Sequence, residues 1–169
     1  FLNHSFVIIH SGSTRKLSHG KYNERKNETL KASDILKVPS LRHAAIDQLI
    51  KIEDPIIKKR AKHIISENDR VLKAVSCLEQ DDPISFGELM NSSHQSMRDD
   101  YEISSDELNQ VVESANKNGA LGARLTGAGF GGCVVILAPN KELPSVSKSV
   151  LDDCPQAYLV TTISKELNS

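Results

Sequence analysis

Six of the chain's nine glycines, at 119, 122, 127, 129, 131 and 132, fall in the run Gly119 to Cys133, which reads GALGARLTGAGFGGC. Glycine takes positive φ at little cost and lets a backbone approach a ligand closely. Successive N–H groups in such a loop form a concavity suited to an anion. Arg124 adds a charged fork and Thr126 a hydroxyl donor, which turns the expectation toward phosphate. Gly127-x-Gly129-x-x-Gly132 also has the spacing of a dinucleotide fingerprint. That motif needs strand, glycines, helix in this order, whereas here a helix precedes the glycines and a strand follows them. The dinucleotide reading is therefore rejected, and the chain contains no GxxxxGK[ST] phosphate loop.

Other reactive residue types read as structural. Ser93, His94, Ser96 and Asp99 could suggest a catalytic triad, but they sit on or just after one helix and no GxSxG elbow accompanies them. Arg98, Asp99 and Asp100 are expected to form ion pairs. Cys133 heads an apolar strand with no adjacent base, so it reads as a small apolar filler. His43 and His63 have no metal-ligand spacing, and no metal site is expected. Lys58-Lys59-Arg60-x-Lys62 reads as a solvated helix face. Tyr22, taken alone, is an amphipathic residue near the start of a charged helix.

These residues sit in a chain of 169, with 21 Lys+Arg, 22 Asp+Glu and a formal net charge of −1. That length predicts one domain. Folding at this size buries roughly 70% of the unfolded surface, enough for a true core. The balanced charge argues against a broad nucleic-acid face. No run approaches the ~20 apolar residues of a membrane helix, and a basic segment followed by a long apolar one, as in a signal peptide, is lacking. Cys77, Cys133 and Cys154 are widely spaced and odd in number, which predicts no disulfide framework and a reducing, cytoplasmic setting. The Asn-x-Ser/Thr matches at Asn3, Asn27 and Asn91 then carry no meaning. The first residue is Phe1 rather than Met, so a piece of a longer protein is expected.

The positioning elements follow from periodicity. Phe6 to Ile9 predicts a buried strand, ended by Ser11-Gly12-Ser13. Lys21 to about Leu36 is charged and predicted helical, with Pro39 as a stop, and Leu41 to Ile50 predicts a short helix. Asp54 to Gln80 predicts a long amphipathic helix with Ile57, Ala61, Ile64, Leu72, Val75 and Leu78 as its core stripe. Pro83 opens another helix through Phe86, Leu89 and Met90. Ser104 and Glu107 read as a capping box for a helix that buries Leu108, Val111, Val112 and Ala115, with Gly119 as its stop. Residues 119–132 read as a loop and Cys133 to Leu137 as a buried strand. Pro139 and Pro144 flank a turn, Ser145 to Leu151 predicts a short helix, and Ala157 to Ile163 a closing strand. The order predicts an α+β fold, a small sheet covered by helices on one face.

Three segments in order carry a resemblance to a known family. GARLTGAGFGGC, residues 122–133, resembles the third signature motif of the GHMP kinases. Ser93-His94-Gln95-Ser96-Met97-Arg98-Asp99-Asp100-Tyr101-Glu102-Ile103-Ser104 is similar to the galactokinase branch. So are His10-Ser11-Gly12-Ser13-Thr14-Arg15-Lys16-Leu17 and Tyr22-Asn23-Glu24-Arg25-Lys26. Thr29, where the branch often has cysteine, and Asp106, where it often has proline, depart from the pattern. The resemblance implies a GHMP C-terminal domain with a small antiparallel, ferredoxin-like sheet backed by helices over residues 1–169. It implies phosphoryl transfer from ATP, with Mg2+, to the anomeric hydroxyl of galactose. Tyr22 would contact the sugar. Arg124, Thr126, Gly127, Ala128, Gly129, Gly131 and Gly132 would shape the phosphate end of the nucleotide site. The family's first two motifs, its catalytic aspartate and its arginine partner precede the matched region. The resemblance therefore implies an N-terminal half as partner, with most of the ATP and magnesium contacts, and a chain that is inactive alone. A non-catalytic sugar sensor, an N-acetylgalactosamine kinase and a mevalonate kinase are the alternatives.

Overall fold

Along Phe6-Val7-Ile8-Ile9, alternate side chains turn inward, with Val7 and Ile9 fully buried between half-buried neighbours. A computed structural model describes residues 1–14 and 18–164, with the side chains of 18 and 19 also outside the description. Arg15, Lys16 and Leu17 of the resembling segment thus lie outside the described residues. In chain order the elements are β1 (His4–His10), α1 (Ser18–Leu36), α2 (Pro55–Glu79), α3 (Pro83–Asp99), α4 (Asp106–Lys117), β2 (Gly122–Thr126), β3 (Cys133–Pro139), α5 (Leu143–Asp153) and β4 (Tyr158–Ile163). The four strands form one sheet in the order β2-β3-β1-β4, with every neighbour antiparallel. This is the α+β, ferredoxin-like arrangement expected.

One face of the sheet is sealed by α4 and α5. Leu108, Val111, Ala115, Val146 and Val150 meet Val7, Ile9, Leu125, Val134 and Ile136, and all ten are at 0% exposure. A second, smaller core joins α1 and α2 through Ala32, Leu36, Leu41, Ile52, Ile57, Ala61 and Ile65. Proline in the first turn and an aspartate N-cap start both long helices of the second layer. Asp54 accepts from the N–H groups of Ile56 and Ile57, and Asp82 from that of Ser85.

Five expectations are corrected. The stretch 119–132 is not all loop, because β2 occupies Gly122–Thr126 and pairs with β3. Leu41 to Ile50 forms two 3₁₀ turns, Leu41–His43 and Ile46–Lys51, rather than a helix. The N-cap of α4 is Ser105, which accepts from Leu108 N–H, while Ser104 Oγ turns to Asn109 Oδ1 at 2.7 Å. On α2 the stripe is buried only at its start: Leu72, Val75 and Leu78 are exposed. The basic run on α2 is not wholly solvated either, since Arg60 is buried at 3% exposure.

α3 lies directly along the outer edge of β2. A Cβ on Gly87 would overlap the Leu121 carbonyl, and one on Gly122 the Gly87 carbonyl, so only glycines permit this approach. Gly87, Asn91 and His94 share one helix face. Asn91 donates from Nδ2 to Leu121 O at 3.3 Å and accepts at Oδ1 from Ala123 N–H at 2.9 Å. His94 accepts at Nδ1 from Leu125 N–H at 3.3 Å. The helix thereby satisfies backbone groups that an edge strand leaves open.

Candidate functional site

β2 delivers the chain into the turn 127–132, whose backbone is left-handed at Gly127 (φ 89), Gly129 (79), Phe130 (59), Gly131 (119) and Gly132 (98). Glycine makes four of these cheap; Phe130 is held there by its surroundings. Its N–H donates to Ile103 O at 2.7 Å, and the Lys21 ammonium stands 5.3 Å from its ring centre. A Cβ at Gly129 would overlap the Ile103 carbonyl. Gly132 N–H donates to Ser13 O at 3.2 Å, and Ser11 N–H to Gly132 O at 2.8 Å, so the end of β1 walls the turn. The N–H groups of Ala128, Gly129 and Gly131 have no acceptor among the described residues. They are the donors an anion would take.

Tyr22 belongs to the same end of the molecule. It sits on the first turns of α1, next to Lys21, and is 57% exposed. It lies near Tyr101, whose phenol is pushed above its ordinary pKa by burial, with Arg25 opposing the shift and Tyr22 adding to it. At the start of α1, Lys21 thus meets the turn through Phe130, while Tyr22 lies toward Tyr101.

Arg124 and Thr126 face another way. They line a groove of about 330 Å³ between the sheet and the pair α2–α3, with Phe6, Val71, Phe86, Leu89 and Val135. The Arg124 guanidinium is engaged by Glu67 Oε1 at 3.1 Å, which also accepts from Ser93 Oγ at 2.7 Å. Burial works to raise the Glu67 pKa, but the Ser93 hydrogen bond and the Arg124 and Arg70 charges outweigh it and hold the carboxyl below its usual range.

His63 and His94 are neutral supports. Because Leu125 N–H donates to its Nδ1, His94 carries its proton on Nε2 and donates to Asn109 Oδ1 at 3.2 Å. Burial pushes its pKa down to about 4, against the Asn109 hydrogen bond. His63 stacks on Tyr101 at 4.6 Å and is likewise lowered by burial to about 4. Arg98 pairs with Asp99 at 2.8 Å, and Asp100 with Lys62 at 3.0 Å, as the residue types predicted.

Sequence reasoning missed Lys21, Ser13, Ile103 and Phe130 as builders of the turn. Only Phe130 left a signal, an aromatic flanked by glycines.

The family model described as GHMP kinases C terminal matches residues 74–153. Galactokinase of Haemophilus influenzae is 40% identical over 95% of this chain, which covers 43% of that protein. Galactokinase of Actinobacillus pleuropneumoniae is 42% identical over 89% of this chain and 41% of its own length. In sequence and fold the chain matches the C-terminal region of the GHMP kinases. It spans less than half the length of these curated relatives. Lactococcus lactis galactokinase, solved complexed with galactose, superposes with a TM-score of 0.89 at 33% identity over 96% of this chain and 45% of that one. L. major mevalonate kinase superposes with a TM-score of 0.65 at 22% identity over 98% of this chain and 44% of its own, a likeness of fold alone. The architecture of the chain is that of the GHMP-kinase C-terminal domain.

Proposed function

We propose that residues 1–169 form the C-terminal portion of a cytoplasmic sugar kinase that moves the γ-phosphate of ATP to the anomeric hydroxyl of galactose. The observation that carries this reading is the turn of left-handed residues whose Ala128, Gly129 and Gly131 N–H groups have no acceptor among the described residues, with Lys21, the neighbour of Tyr22 on α1, set over its Phe130 ring. A galactose-complexed relative with the same fold at 33% identity supports galactose over mevalonate, where identity falls to 22%. The Tyr22 phenol hydrogen-bonds a sugar hydroxyl while its ring covers the pyranose. The turn Gly127–Gly132 donates backbone N–H groups at the phosphate end of ATP, where phosphoryl transfer depends on positioning and charge stabilisation. Arg124 braces the strand that leads into this turn, since its charge is already committed to Glu67, and Thr126 lines the same groove.

Among the described residues no group of three or more His, Cys, Asp and Glu is arranged to hold a metal ion. The ion that accompanies ATP is assigned to the polypeptide that, in the longer relatives, supplies the remaining half. The same half supplies the base, so the 169-residue chain alone is expected to release no ADP. Three free cysteines accord with a reducing compartment.

The test is galactose-dependent ADP release by the longest polypeptide its gene encodes around residues 1–169, with Tyr22→Phe as control. Turnover weakened by that change supports the reading. Binding of galactose and ATP without turnover would replace the kinase by a sugar sensor. Phosphorylation of N-acetylgalactosamine or mevalonate in preference to galactose would move the chain to another branch.

A further inference from the structure

We propose that Arg60 and Arg25 are positioning residues for the glycine-rich turn, acting through the segment Asp100–Ile103 that both guanidiniums grip. The proposal rests on the reading of 127–132 as the phosphate end of the site.

Three carbonyls of this segment are used in one direction each. Arg60 Nη1 donates to Asp100 O at 2.7 Å, and Arg25 Nε donates to Tyr101 O at 2.7 Å. Ile103 O then accepts Phe130 N–H at 2.7 Å, and its carbonyl occupies the space that a Cβ at Gly129 would need. The fourth residue, Glu102, is held left-handed at φ 55 with its carboxylate 2.8 Å from Arg60 Nη2. The glycine-rich turn thus hangs from a segment whose backbone is fixed by two arginines.

The two arginines are themselves locked together. Glu28 Oε2 accepts from Arg25 Nη1 and from Arg60 Nε, both at 2.9 Å. Burial works against the Arg60 charge, but the Glu102 and Glu28 carboxylates more than offset it and hold its pKa above the ordinary value. Buried ion pairs are a poor source of net stability compared with apolar packing of the same volume. What they supply is geometry, because the rigid arginine fork fixes the direction of each bond. Arg25 is also one turn from Tyr22 on the same side of α1. The sugar-contacting end of α1 and the phosphate turn therefore take their positions from the same four residues, 100–103.

The test compares amide hydrogen exchange in the wild-type chain, Arg60→Lys and Glu102→Gln. Lysine keeps the charge and loses the fork. In Arg60→Lys the Phe130 amide is expected to exchange about ten-fold faster, while Ile136 in β3 and Val112 in α4 stay within about two-fold, a local rather than global opening. Glu102→Gln, at a side chain 47% exposed, decides alone if the lysine variant does not fold, with an expected rise of about three-fold at Phe130. Wild-type exchange at Phe130 in the folded variants would overturn the proposal. So would equal acceleration of all three amides, because it would make the arginines general supports of the fold. In the longest encoded polypeptide, Arg60→Lys is expected to raise KM for ATP more than it lowers kcat, and unchanged values of both would also overturn the proposal. Absence of turnover in the wild type would sink the sugar-kinase reading instead, leaving amide exchange to judge the arginines.

Discussion

The two faces of the sheet are built on opposite principles. Toward α4 and α5, Val7, Ile9, Val134 and Ile136 are at 0% exposure in a core of apolar side chains. Toward α2 and α3, Phe6 and Val135 border an open groove with Glu67, Arg70 and Arg124, and the adjoining helix leaves Val71, Leu72, Val75 and Leu78 exposed. The first face is finished and carries stability. The second is stapled by directional polar bonds and has apolar surface to spare. Apolar packing and directional polar bonding are thus separated between the two faces, so substitutions on them should differ in kind as well as size.

The largest effect is expected on the sealed face. Leu108 is fully buried, so Leu108→Ala should cost about 4 kcal/mol through lost transfer energy and a cavity. Urea unfolding checks it, and a loss below about 1 kcal/mol would mean that this core collapses to fill the gap.

Acid should act next, and through the other face. His63 and His94 both have pKa values of about 4 in the fold, below the ordinary 6.5. The unfolded chain therefore binds more protons between those limits, and stability rises with pH there. Above pH 6.5 their contribution is fully present; at pH 5 each has lost about 2 kcal/mol. Urea midpoints should fall as pH is lowered through this window, the unfolding free energy changing with a slope that approaches two protons. A flat profile would show that these imidazoles are not kept neutral by burial.

Gly87→Ala probes the seam between α3 and β2. Alanine improves helix propensity by ~1 kcal/mol, but its Cβ meets the Leu121 carbonyl, which moves only if the helix shifts. Overpacking of ~1–3 kcal/mol should win, giving a net loss of about 1 kcal/mol. The amides of Ala123 and Leu125, bonded to Asn91 and His94, should exchange faster. Unchanged protection there would mean that the seam does not depend on close backbone approach.

The contrast between the faces also explains what the sequence disclosed. β1 and β3 were legible as short unbroken apolar runs, and α4 because its apolar period matches the one-sided burial it meets. β2 was hidden, with five residues, a glycine at its start, and edge partners from α3 side chains rather than a strand. The stripe of α2 was read correctly as amphipathic, yet periodicity states only that a face is apolar, not that anything in the chain covers it. Arg60 was lost in a run of lysines because Glu28 and Glu102 lie far from it in sequence. For the site, glycine density marked the turn, but nothing in it announced that Ile103 and Ser13 would take the N–H groups of Phe130 and Gly132.

The smallest effect expected in the chain is the one that most sharpens the comparison. Leu72 is 64% and Val75 47% exposed, so the pair Leu72→Ser and Val75→Ser should change the stability of the 169-residue chain by less than about 0.5 kcal/mol apart from helix propensity. In the longest encoded polypeptide the outcome should differ. The N-terminal residue Phe1 rests edge-on against Phe86, at the border of the open groove, so preceding polypeptide would emerge beside this same apolar surface. If that polypeptide seats on α2, the serines remove buried apolar contacts, and the loss should grow to about 1–3 kcal/mol. Equal small effects in both contexts would make the stripe an ordinary exposed surface. A large effect in the longer protein alone would show that the second face is completed by polypeptide outside residues 1–169.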